Sequence, residues 1–92
     1  MILGRVVGNV VSTMKKKELD KYKLFLIESL HPKLGKNREV FVALDLVGAG
    51  IGDCVLVVKG SQAQHVFHEK TPADAAIVGI VDTVNTIDPK IF

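Results

Sequence analysis

At 92 residues, with 48% hydrophobic side chains and a formal net charge of +2, the chain is long enough for one domain spanning residues 1–92 and too short for a large interior. A domain of this size buries only roughly 60 to 68% of its unfolded surface, yet the mean hydropathy is +0.31, so a second covering surface is expected; a homo-oligomer interface of roughly 800 Å² per partner supplies one. No uncharged apolar run approaches the ~18 residues of a membrane span, the opening Met1-Ile2-Leu3-Gly4-Arg5 lacks the order of a secretory leader, and a single Cys54 forms no internal disulfide; a cytosolic protein is expected.

Ile2 to Val11 is apolar on both alternating sets, with Gly4 and Gly8 beside Ile2, Val6 and Val10, which predicts a strand covered on two faces and coiled sharply at its glycines. Ser12 to Tyr22 is a polar connection. Lys23 to Leu30 predicts a second strand, and His31 to Asn37 a turn punctuated by Pro32 and Gly35. Glu39 to Leu46 and Cys54 to Lys59 predict a third and a fourth strand. Ser61-Gln62-Ala63-Gln64 has the form of a capping box, and Ala63, Val66 and Phe67 follow at helical spacing until Pro72 stops them, so one short helix is expected. Ala75 to Thr86 predicts the last and most apolar strand, lying centrally in a barrel or across a subunit boundary. The fold class is mainly β: a small five-stranded OB-like β-barrel with one short helix before the last strand.

Between the third and fourth strands runs Val47-Gly48-Ala49-Gly50-Ile51-Gly52-Asp53. A dinucleotide-binding loop needs G-x-G-x-x-G opening a helix, whereas Asp53 stands in place of the third glycine and a β-branched run follows it. A P-loop is excluded as well, because the one Gly-Lys pair, Gly35-Lys36, has Leu30 where the first glycine belongs. The segment is therefore read as a wide strand-to-strand turn in which Asp45 and Asp53 bond nearby amides.

Charge is uneven: residues 1–44 hold nine Lys/Arg against four Asp/Glu, and residues 45–92 hold three against six. Such asymmetry is one mark of a nucleic-acid face, but Lys15, Lys16, Lys17, Lys21 and Lys23 also read as a solvated loop. Five aromatic residues and no Trp make a poor set of base-stacking platforms. His65 and His68 lie three apart, yet no third ligand accompanies them, and solvent-facing histidines are the simpler reading. No nucleophile stands beside a base and no carboxylate pair has a reason for split pKa values, so neither catalysis nor a cofactor is expected.

The residues carry one further signal. Gly4-Arg5-Val6-Val7-Gly8 with Val10-Val11, Ala43-Leu44-Asp45 running into Val47 to Asp53, Val55-Leu56-Val57 with Gly60-Ser61, and Asp74-Ala75-Ala76-Ile77-Val78-Gly79-Ile80-Val81-Asp82 occur in that order. Together they resemble the bacterial microcompartment vertex proteins of the EutN/CcmL family over almost the whole chain, with departures at Gln64 and Ala73. The resemblance implies a non-enzymatic shell protein in the bacterial cytoplasm. It implies a homopentamer that caps the five-fold corners of a polyhedral shell, beside hexameric shell proteins, with no membrane or nucleic-acid partner. It also implies that Gly48, Ala49, Gly50, Ile51 and Gly52 surround a narrow axial opening. A ring joins two different patches, and Val6, Val10, Ile77, Ile80 and Val84 on the two-faced strands are the interface candidates. An OB-like module for single-stranded nucleic acid is the alternative.

Overall fold

A computed structural model of the chain describes residues 1–12, 17–30, 39–60, 63 and 74–87. The β-branched runs form five strands: β1 (Ile2–Val10), β2 (Leu24–Ser29), β3 (Val40–Asp45), β4 (Cys54–Lys59) and β5 (Ala75–Ile80). Among the described residues of the polar connection between β1 and β2, Lys17–Leu19 forms a 3₁₀ turn. Four strands agree with the sequence expectation to within a residue or so at each end. The fifth is shorter than expected, because β4 begins at Cys54 and offers no partner beyond the bond that Val81 N–H donates to the Cys54 carbonyl at 2.8 Å.

The strands close in the order β1-β2-β3-β5-β4, with β4 returning to β1. All pairings are antiparallel except β3 with β5, a short parallel seam at Leu44↔Ala76 and Asp45↔Ile77. The glycine segment joins β3 to β4 as a wide strand-to-strand turn, and because β5 lies between those two strands in the sheet, it crosses one end of the barrel. Small barrels need local coiling, and two register shifts supply it. One falls between Val6 and Gly8 on β1, and the other between Leu56 and Val57 where β4 meets β5.

Alternation along the strands separates two apolar layers. Val6, Phe25, Ile27, Ala43, Val55, Val57, Ala75 and Ile77 fill the barrel interior. Leu44, Val58 and Ala76 point outward from β3, β4 and β5 and form a second cluster with Ala63, against which Leu19, Tyr22, Leu24, Leu46 and Val78 pack. The second apolar face of β5 is thus covered for most of its length by its own chain. Burying the Val, Leu, Ile and Phe side chains in these layers contributes roughly 1.5 to 3 kcal/mol each relative to exposure, and each alanine methyl less.

Ala63 is helical and buried, and its N–H donates to the Gly60 carbonyl at 3.1 Å. The remainder of the expected helix, including the capping residues Ser61 and Gln64, lies outside the described residues, as do His31, His65, His68, Lys15, Lys16 and Ala73. At the barrel end remote from the glycine loop, buried Ser29 accepts the Glu39 N–H on its hydroxyl at 3.0 Å and donates its own N–H to the Glu39 carbonyl at 2.8 Å.

Candidate functional site

The registers bring Val10, Leu24, Asp45, Cys54 and Ile80 to one end of the barrel, and the glycine loop spans it. Its conformation follows from two carboxylates, as the sequence predicts. Asp45 Oδ1 accepts the N–H of Val47 at 3.1 Å and of Ala49 at 3.2 Å. Asp53 Oδ2 accepts the Gly50 N–H at 2.8 Å, while the Asp53 N–H donates to the Gly50 carbonyl at 3.1 Å. Gly48 and Gly52 have φ of +80° and +94°, a region that a Cβ disfavours by roughly 1 to 2 kcal/mol.

The loop is also tied to β1. Gly52 N–H donates to the Val6 carbonyl at 2.8 Å, Val6 N–H donates to the Asp53 carbonyl at 3.0 Å, and Arg5 Nη1 donates to the Gly52 carbonyl at 2.9 Å. Sequence reasoning misses Arg5, because its closeness to residue 52 depends on the β1–β4 register that pairs Arg5 with Cys54. Asp45→Ala removes two charge-assisted hydrogen bonds, from the partly exposed amides of Val47 and Ala49 to one carboxylate oxygen, and the expected cost is about 1 to 3 kcal/mol. Chemical denaturation of Asp45→Ala against Asp45→Asn, which keeps an acceptor oxygen, measures it.

The predicted residues divide by exposure. Ala49 is buried with its methyl in the barrel core, so the surface of the loop belongs to Gly48, Gly50, Ile51 and Gly52. Val6 and Ile77 are 1% and 0% exposed. That removes them as interface candidates, since both side chains fill the interior of their own barrel and have no surface to offer a neighbour. Val10 is half-buried, whereas Ile80 and Val84 are 44% and 43% exposed.

Beside the loop, between the end of β1 and the start of β2, lies an open groove of ≈ 470 Å³ lined by Val10, Val11, Lys23, Leu24, Ala49 and Ile51 among others. Among the described residues no group of three or more His, Cys, Asp or Glu side chains is arranged to hold a metal ion, and no helix is long and apolar enough to cross a membrane. Cys54 is half-buried in β4 rather than enclosed as its apolar strand suggests.

Residues 1–82 match the family model described as ethanolamine utilisation protein EutN/carboxysome. The chain is 45% identical over 89 residues to the bacterial microcompartment shell vertex protein GrpN of Rhodospirillum rubrum, covering 96% of this chain and 100% of that one. It is 39% identical over 93 residues to the carboxysome shell vertex protein CcmL of Synechococcus elongatus, covering 100% of this chain and 94% of the relative. The solved GrpN pentameric microcompartment shell protein superposes with a TM-score of 0.81 over 96% of this chain and 100% of its own. The pentameric shell protein MSM0273 from the RMM microcompartment superposes with a TM-score of 0.80 at 30% identity, over 97% of this chain and 99% of that one.

Fold and relatives together define a structural shell protein of the bacterial microcompartment class rather than an enzyme, and they do not favour the nucleic-acid-binding alternative. The chain belongs to the EutN/CcmL family.

Proposed function

We propose that five copies of this chain close into a ring that occupies the five-fold corners of a microcompartment shell, with hexameric shell proteins as its flat neighbours. The observation that carries the reading is Gly50. Unlike Gly48 and Gly52 it has no positive φ, and a Cβ built on it meets nothing closer than Asp53 Oδ2 at 3.8 Å. Its own chain therefore gives no reason for the missing side chain. A neighbour does: copies converging on one axis crowd their loops, and residues without side chains permit close backbone approach.

The exposed Ile51, the absence of side chains at 48, 50 and 52, and the anchoring of the loop by Asp45, Asp53 and Arg5 together favour a rigid, narrow rim at that axis. The apolar surface left at Ile80 and Val84 supports the remaining contact between subunits. Native mass spectrometry at micromolar concentration is expected to give one dominant species at five times the 10.0 kDa chain mass. A monomer, or a ring of another number, overturns the proposal. Shells assembled without this protein are expected to show open corners under electron microscopy.

A further inference from the structure

Beyond Ile80 the chain leaves the sheet as a strap, residues 81–87, held at its root by the bond from Val81 N–H to the Cys54 carbonyl. From Asp82 to Ile87 every residue is exposed, and Val84 and Ile87 present apolar side chains away from their own barrel. The groove described above opens at the same barrel end but from β1 and β2, which are not neighbours of β5 in the closed order. Its rim carries Val11, 87% exposed, and Ile51. The strap follows β5 and the groove is built from β1, β2 and the glycine loop, so the two share no residue and are two different patches with apolar members, which is what a head-to-tail ring requires. Their charges are opposite as well: Lys23 stands in the groove and Asp82 on the strap.

Resting on the ring reading above, we infer that the strap of one copy lies in the groove of the next, with Val84 and Ile87 against Val11 and Ile51 and Asp82 toward Lys23. Seven residues span at most about 23 Å when fully extended. The burial of these four apolar side chains is completed only in the assembly.

The test compares the protein concentration at which the ring half-dissociates, read by native mass spectrometry on dilution. Val84→Asp and Val11→Asp are each expected to raise it at least ~10-fold, an effect of the size that burying a charge in an apolar contact produces. Val40→Asp, at the opposite barrel end and 53% exposed, is expected to leave it within about twofold. The double variant Val11→Asp/Val84→Lys is expected to regain most of the loss, because the two substituted side chains meet across the contact. Unmoved midpoints in Val84→Asp and Val11→Asp, or a double variant no better than the worse single one, overturn the inference while leaving the pentamer standing. A wild-type chain that forms no ring overturns the proposed function and this contact together.

Discussion

Gly4→Ala is expected to lower the melting temperature by roughly 5 to 20 °C, the shift that corresponds to about 1 to 3 kcal/mol of overpacking in a domain of this size. A Cβ at position 4 would stand 2.5 Å from Ile27 Cγ2 and 3.3 Å from the Glu28 carbonyl oxygen. Neither neighbour can retreat. Ile27 is wholly buried in the barrel core, and Glu28 belongs to the β1–β2 ladder through its register with Arg5. Gly8, on the same strand, is the internal control: a Cβ there meets Leu26 at 3.8 Å, an ordinary contact, so Gly8→Ala is expected to stay within about 0.5 to 1 kcal/mol of wild type. Thermal unfolding followed by circular dichroism at one fixed concentration compares the two, since assembly makes the midpoint concentration-dependent. Equal midpoints for the two variants would remove the steric account of Gly4.

The same pair of strands explains what could be read from the sequence. Alternation along Leu24 to Ser29 puts Phe25 and Ile27 on one face and Leu24 and Leu26 on the other, and the structure buries the first pair and half-buries the second. Local chemistry was equally legible at Asp45 and Asp53, because an Asp oxygen reaches amides only a few residues away and needs no knowledge of topology. Partner choice was not legible. Nothing in the run from Ala75 to Ile80 says that it inserts between β3 and β4, and so the crossing of the barrel end by the glycine loop shows only once the parallel seam at Leu44↔Ala76 is seen. The same ignorance of partners overextends β5 to Thr86, since Val84 continues the apolar pattern after β4 has run out.

The site divides along that line. An apolar strand residue read from the sequence has two possible destinations, the core of its own barrel or a neighbour, and alternation alone does not choose between them. Val6 and Ile77 go to the core, while Ile80 and Val84 keep their surface. The second apolar layer, built from Leu44, Val58, Ala63 and Ala76, covers part of the apolar excess within the chain. Ile80, Val84, Ile51 and Val11 then stand out as apolar side chains that remain exposed around one end of the barrel. That grouping is a product of the closed strand order, not of sequence spacing.

Gly50→Leu is expected to leave the isolated fold intact and to abolish the closed ring at concentrations where wild type is fully assembled. Inside the chain there is room, because φ at residue 50 lies outside the left-handed region and only Asp53 Oδ2 stands within 4 Å of a Cβ. Between chains there is none if the loops meet at an axis, where each added side chain is repeated in every subunit. Gly52→Ala makes the opposite prediction two residues away. Its φ of +94° strains any Cβ in the monomer by roughly 1 to 2 kcal/mol, yet nothing lies within 4 Å of the added carbon. On the proposed axial placement, one glycine is required by the backbone and the other by the neighbour. Denaturation midpoints should fall for Gly52→Ala and hold for Gly50→Leu, whereas native mass spectra should lose the pentamer in Gly50→Leu alone. A Gly50→Leu chain that still closes into a pentamer at wild-type concentrations moves this loop away from the axis, and the reason for a glycine at that position would have to be sought on another face of the shell.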